Sequence, residues 1–499
     1  MGSEMCIRDR SDVDCILLTH AHIDHSGLIP LMYVNGFRGQ VYSTSATAQL
    51  CEIMLRDSAH IQMFEAEWRN RKAARSGGKL KEFVPLYDMD AAVNVCKQFV
   101  GCEYDRVYDI AEGIKIRFTD VGHLLGSASI EVWATEKTEN GDVTEKIVFS
   151  GDIGNINKPI IKDPKHVRDA DYVVMESTYG NRSHGGTPNY VEDLTDIFKR
   201  TFERGGNVVI PSFAVGRTQE LLYIIRKIKE DNLVGRDFDV YMDSPLAIEA
   251  TNIFIKNVES CFDDEAVELV RKGINPLSFP GLKYATTGDE SKQINFDPNP
   301  KVIISSSGMC EAGRIRHHLK HNLWRPECTI VFVGYQAVGT TGRIIVDGAE
   351  EIKLFGEPIQ IKAEIVQLKG SSGHADKDGL LCWINAFDTK PKKVFVVHGE
   401  DSVCDEFTEC LKEEYGYDAM APYTGGSYDL IADRVISEGV KERKTRRTTS
   451  TQRGKTVFDR LVAAGKRLMT VITHNEGGTN KDLAKFTDQI NALCDKWDR

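Results

Sequence analysis

The sequence predicts an α/β protein, and three observations carry that expectation. Short apolar, β-branched-rich runs recur along the chain, each ending on small or polar residues. Amphipathic helical stretches lie between several of them. The 499 residues are 41% hydrophobic and 27% charged, an ordinary globular balance. Uninterrupted apolar runs suit strands buried on both faces, and their alternation with helices implies a largely parallel sheet. A chain of this length holds two or three domains at about 100–200 residues each. No run approaches the roughly 18 apolar residues of a membrane helix, so no membrane partner is expected. The net charge of −11 argues against a small basic nucleic-acid module. It does not exclude an enzyme that handles phosphates through bound metal ions, whose positive charge the sequence does not count. Twelve cysteines without a CxxC pair, and no secretory leader, point to reduced thiols in a cytoplasmic protein.

In chain order the expected strands are Cys15–Leu18, Ile114–Phe118, Ile147–Phe149, Tyr172–Met175, Asn207–Ile210, Val240–Met242, Val302–Ile304, Thr329–Val333, Ile365–Leu368 and Val394–Val397. Val191–Arg200 and Thr218–Lys229 have helical spacing. Gly180–Pro188 is rich in Gly, Asn, Ser and Pro and marks a boundary. Lys441–Lys455 carries seven Lys/Arg against one Glu and no apolar face. It is expected to be a basic linker to a helical appendage built from Val457–Ile472 and Asp482–Trp497. In sheets of this class, sites gather beyond the carboxyl ends of strands, where the polar residues of this chain also gather.

Six of the thirteen histidines fall in motifs. The densest is His20-Ala-His22-Ile-Asp24-His25, directly after a strand. His20, His22 and Asp24 alternate, so an extended backbone aims them to one side, and His25 then needs a turn to join them. Imidazoles with a carboxylate suit zinc, and four ligands within six residues exceed what one open catalytic zinc requires, which points to two metals. His123 among glycines, Asp152 in Ser-Gly-Asp and His398 in Val-Val-His-Gly-Glu are the further candidates. Each would be an ordinary turn or core residue alone, but each follows a strand.

HxHxDH, then a glycine-flanked His, then Ser-Gly-Asp, resembles the metallo-β-lactamase fold. Glu176 in Met-Glu-Ser-Thr-Tyr, His374 in Ser-Ser-Gly-His-Ala-Asp and His398 resemble the extra motifs of its β-CASP branch. The stretches from Ser305 to Met309 and from Gly334 to Arg343 resemble that branch's inserted domain. The resemblance covers about Asp12 to Ala432, and its nearest members in appearance are nucleases of RNA processing. It implies an αββα metallo-β-lactamase sandwich with an inserted α/β β-CASP domain, followed by the short C-terminal helical appendage. The expected divisions are 11–180 and 348–440 for the sandwich, 181–347 for the insertion and 441–499 for the tail. His20, His22 and His123 would hold one zinc, Asp24, His25 and His398 the other, with Asp152 bridging. Relatives carry several strands before HxHxDH, whereas about nineteen residues precede His20 here, so one edge of the first sheet is expected to be absent.

The expected chemistry is in-line displacement at phosphorus by a two-metal centre, to which Asp24 contributes. Glu176 would orient His374 and keep it protonated as general acid. Ser371, Ser372 and Gly373, and the turn Ser305, Ser306, Ser307, Gly308, would offer backbone N–H groups to phosphate. Arg314, Arg316, His317 and His318 follow that turn and face either RNA or solvent. The leading reading is a zinc-dependent endoribonuclease, with 5′-to-3′ exonuclease activity as a second mode. A DNA nuclease of the same branch is the nearest alternative. RNA-processing members resemble this chain in having His at the last motif, where DNA-repair members tend to be apolar. A catalytically dead RNA-processing scaffold is the alternative from another class, opposed by the complete ligand set. A homodimer is left open as the assembly.

Overall fold

The computed structural model describes residues 13–75, 83–139, 141–183, 185, 189–368 and 372–440, and in the tail 468–469, 472 and 480–497. Two compact units emerge, Met1–Gly439 and Val440–Arg499. In the second, the helix Asn480–Trp497 matches the helical expectation for that stretch. The basic linker and most of Val457–Ile472 lie outside the described residues.

Two sheets form the first layer pair of the larger unit. One is three-stranded and parallel, in the order Cys15–Leu17, Gln40–Thr44, Phe99–Cys102. The other has seven strands, in the order Ala419–Met420, Lys393–Val397, Tyr172–Glu176, Gly141–Phe149, Ala128–Thr138, Ile114–Asp120, Val107–Ala111. Cys102, Phe118, Ile130 and Val132 fill the space between them, with Leu17 and Tyr42 against their edge. The helices Lys377–Ile384 and Asp401–Glu413 cover the outer face of the seven-stranded sheet through Trp383, Ile384, Phe407 and Leu411. Ile29–Val34, Ser45–Arg75 and Met89–Cys96 cover the other sheet. The result is the αββα sandwich.

The third sheet is parallel throughout and runs Leu282–Tyr284, Asp239–Met242, Lys301–Ser305, Val208–Pro211, Thr329–Phe332, Glu364–Gln367. Val208, Val240, Val302 and Val331 meet helices on one face, and Val209, Ile303 and Ile330 on the other. Burial on both faces is why these strands read as unbroken apolar runs. Glu364–Gln367 pairs with Thr329–Phe332, so the six-stranded sheet draws on chain well past 347. The hairpin Glu351–Leu354 and Glu357–Gln360 buries Ile352 and Leu354 in the same core.

Every strand named from the sequence is present, within one or two residues or inside a longer strand. The long helix Ser45–Arg75 had no advance signal. Its buried residues, Ala66 apart, lie in the first half, from Ala46 to Ala59, while Ile61, Phe64 and Trp68 are exposed, so no single apolar stripe runs its length.

Candidate metal centre

The centre forms where four strand ends meet. Parallel pairing sets Val397 opposite Glu176 and Phe149 beside Val174, which brings Asp152, Glu176 and His398 to one rim. The first loop arrives from the smaller sheet, tied by Ala128 N–H donating to the Thr19 carbonyl at 2.9 Å. Extended backbone persists through His22, the cap of the short helix Ile23–Ser26. The expected turn therefore comes before Asp24 rather than after it, so Asp24 joins His25 on that helix. Ser26 Oγ pins the turn by donating to the carbonyls of Ala21 and His22. Gly154 admits no side chain, because a Cβ there would lie 2.0 Å from the Gly122 carbonyl oxygen. That contact locks the Asp152 turn against the His123 loop.

Asp152 lies at the middle and is buried. Its Oδ2 stands 3.3 Å from His20 Nε2 and 3.6 Å from His123 Nε2. Its Oδ1 stands 3.3 Å from His25 Nε2 and 3.2 Å from His398 Nε2. His22 Nδ1 is 3.1 Å from His123 Nε2. Two groups of candidate donor atoms result, His20–His22–His123–Asp152 and Asp24–His25–His398, each lying within 4.8 Å of one another. His20 Nε2, His25 Nε2 and Asp152 Oδ1 are buried without a hydrogen-bond partner. Such atoms are costly unless something pairs with them. Donors about 2.0–2.1 Å from a shared ion stand roughly 3.3 Å apart along the edges of a tetrahedron, which is the spacing seen here. The donor set therefore fits metal ions.

The surroundings tune these groups. His123 Nδ1 donates to the Gly373 carbonyl at 3.2 Å, which leaves Nε2 free to face the centre. Burial holds His20, His22 and His123 below the usual imidazole range, in the neutral form that binds metals. Burial pushes the Asp152 carboxyl up, but His20, His25 and His398 outweigh it and hold the group well below the usual range. The Asp152 carboxylate beside it lifts His398 to about 9 against its burial.

His374 stands beside this cluster, partly exposed. Its Nδ1 lies 3.1 Å and 3.2 Å from the two Glu176 oxygens, and its Nε2 lies 3.9 Å from Asp152 Oδ2. Glu176 is buried and held in turn by the Ile153 N–H at 2.5 Å and the Thr178 N–H at 3.3 Å. Burial lowers His374, but the Glu176 carboxylate overrides it and raises the ring above its ordinary value. Asp152, Glu176 and His374 also form a third possible metal trio by distance alone.

A cleft of about 2200 Å³ opens over the centre, between it and the strand ends of the six-stranded sheet. Small-molecule pockets occupy about 300–1,000 Å³, so this space suits a polymer. Ser306, Ser307, Gly308 and Ser372 line it. Their hydroxyls are engaged internally, however. Ser306 Oγ meets Ser244 Oγ at 2.8 Å, Ser307 Oγ accepts the Glu311 N–H, and Ser372 Oγ accepts the His374 N–H. Ser371 lies outside the described residues. The four basic residues after the serine turn divide. Arg314 binds Asp243 and the carbonyls of Ala285 and Thr286, and His318 is buried against Asp243. Arg316 and His317 face the cleft.

Sequence reasoning missed Lys158. Its Nζ donates to the His123 carbonyl at 2.9 Å and pairs with Glu220 at 3.3 Å, joining the metal loop to the helix Arg217–Glu230. A lone lysine in a loop offers no signal of this.

Comparison with known proteins accords with this geometry. Residues 218–345 match the model of the Beta-Casp domain, and residues 358–422 that of the Zn-dependent metallo-hydrolase RNA specificity domain. A ribonuclease of Thermus thermophilus is 34% identical over 393 residues, covering 79% of this chain and 83% of its own. An RNase J-like protein of Methanocaldococcus jannaschii is 31% identical over 396 residues, with coverage of 79% and 83%. The transcription termination factor FttA of Methanosarcina mazei is 32% identical over 421 residues, and this chain spans 62% of its length. With that coverage, and with the sandwich and the inserted parallel sheet in hand, the chain belongs to the β-CASP family of metal-dependent RNA hydrolases built on the metallo-β-lactamase fold.

Proposed function

We propose that the protein cleaves RNA with two zinc ions, and that endonucleolytic cutting is its main mode, with 5′-to-3′ trimming as a second. His20, His22 and His123 would hold one ion, Asp24, His25 and His398 the other, and Asp152 both. The observation that carries this reading is the division of Asp152. One oxygen faces His20 and His123, the other faces His25 and His398, and three of these atoms have no hydrogen-bond partner. Bound metals would supply positive charge against the phosphate and make water nucleophilic near neutral pH.

The chain's own groups do the rest. Glu176 fixes the His374 ring through Nδ1, so the other nitrogen carries a proton toward the cleft. The carboxylate favours the protonated ring, ready for the departing ribose oxygen. Lys158 holds the His123 loop and, through Glu220, the inserted sheet in one arrangement. The inserted domain in this proposal runs from about residue 181 to Leu368. The described cysteines are all free, in keeping with a reducing cytoplasmic setting.

The test is purified protein with 5′-labelled and internally labelled RNA, with and without chelator, alongside elemental analysis. Internal fragments that vanish with chelator, and two zinc ions per chain, are expected. A metal-loaded protein that leaves both RNAs intact would overturn the reading, as would one zinc or none in fully active protein.

A further inference from the structure

The hairpin Glu351–Leu354 and Glu357–Gln360 closes through Phe355 and Gly356, with φ of 54° and 86°. A two-residue turn with both φ positive normally takes Asn-Gly or Asp-Gly, because a bulky side chain is strained there. Phe355 occupies it without entering the core, since its ring is 46% exposed. Instead the His317 ring stacks on it at 4.3 Å and 25°, and the Arg316 guanidinium lies 4.9 Å from its centroid. All three residues, with Lys353 on the same hairpin, line the cleft that holds His374 and Ser306. Arg316 and Lys353 pair with no carboxylate among the described residues, and the buried Arg316 Nε has no hydrogen-bond partner.

We propose that Phe355, His317 and Arg316 form a stacking platform for a nucleobase of the single-stranded RNA in the cleft, with Arg316 and Lys353 facing the adjoining phosphates. The proposal rests on the reading of the centre as an RNA phosphodiesterase. Single-stranded RNA is held by aromatic and guanidinium planes under unstacked bases and by cations along the backbone. This corner of the cleft supplies both. In a chain of net charge −11, unpaired local cations are what an RNA strand would meet first. The serine turn offers no aromatic plane, so the platform provides what it lacks.

The experiment compares wild type, Phe355→Ala and Phe355→Tyr on single-stranded oligoribonucleotides, intact or with one abasic nucleotide walked along the strand. Cleavage gives KM and kcat, and fluorescence anisotropy in chelator gives Kd. Phe355→Ala should raise KM and Kd roughly 5- to 150-fold, the worth of one stacked base, with kcat little changed. Phe355→Tyr keeps the ring and should recover most of the lost affinity. An abasic nucleotide at one position should cost wild type the same factor and cost Phe355→Ala nothing further. If wild type cleaves RNA but Phe355→Ala keeps its KM and Kd, or pays the same abasic penalty at every position, the platform falls and the nuclease reading stands. If RNA binds through Phe355 but is never cut, the platform stands and the nuclease reading falls. Failure of wild type to bind RNA would remove both.

Discussion

The histidine loops and the serine turns both sit just past strand ends on one cleft, yet their polar atoms are disposed in opposite ways. Around Asp152, ring nitrogens converge at 3.2–3.6 Å and buried atoms go without partners. At Ser306, Ser307 and Ser372 each hydroxyl is already hydrogen-bonded within the protein. A native fold leaves few buried polar atoms unpaired, so the unpaired ones mark where a ligand belongs and the paired ones mark shape. Two strand-end carboxyls repeat the lesson. Histidines hold Asp152 well below the carboxylate range, whereas Asp120, with the Gly122 N–H as its nearest bond at 3.0 Å, is pushed up by burial to about 7.

The largest expected effect tests the reserved side of the comparison. Asp152→Ala should lower activity by roughly 10⁴-fold or more, since it removes a group shared by both ligand sets. Elemental analysis should find fewer than two metals per chain. Full metal occupancy in that variant would break the contrast at its centre.

Next in size is His374→Ala, expected to slow single-turnover cleavage by roughly 10²–10⁴-fold while metals stay bound. The sign of the pH effect follows from Glu176, which raises His374. The acid form is present below that raised value, so the wild-type rate should fall as pH rises through it, and His374→Ala should lose this alkaline limb. Glu176→Gln should move the limb to lower pH with a milder rate loss. Metal loss matched to activity loss in His374→Ala would instead make His374 a ligand, the third grouping that distance allows.

The serine side should respond differently. Ser307→Ala removes an internal bond to the Glu311 N–H, so it should cost about 1 kcal/mol of stability and lower Tm by about 1 °C. A large rise in KM at unchanged Tm would show that the hydroxyl serves RNA after all. A further expectation concerns Asp120. Its ordinary value is 3.8, and the fold raises it to about 7. The folded state therefore holds the proton more tightly, and this group's contribution to stability declines as pH rises from about 4 to about 7. Asp120→Asn should remove that slope, read as the wild-type minus variant difference in denaturant midpoint across the range. An unchanged slope would mean that Asp120 is solvated as an ordinary surface carboxylate.

Much of this protein was legible before folding. The parallel strands announced themselves because burial on both faces leaves no room for polar residues. The motif His20–His25 was legible because four donor-type residues fall within six positions. His123, Asp152 and His398 were candidates by their places after strands, and Glu176 and His374 by resemblance, and the fold brings all of them together through strand pairing. The long helix Ser45–Arg75 escaped because its buried residues lie almost entirely in the first half, so no continuous periodicity marks it. The inserted sheet's last strand was read as a strand, but its pairing with Thr329–Phe332 was not, since pairing partners far apart in sequence leave no local trace. Whether a polar atom is satisfied was also beyond the sequence. Ser307 and His25 are both polar residues in turns, and only three-dimensional neighbours decide that one hydroxyl is engaged while one buried ring nitrogen has no hydrogen-bond partner. The Phe355 platform belongs to the same class, because a phenylalanine in a hairpin turn acquires meaning only when the helix Ile315–Asn322 brings His317 against it. Sequence determined the residue types and the strand pattern. The tertiary structure decided which groups meet, which are paired and which are left facing the cleft, because those depend on contacts between residues distant along the chain.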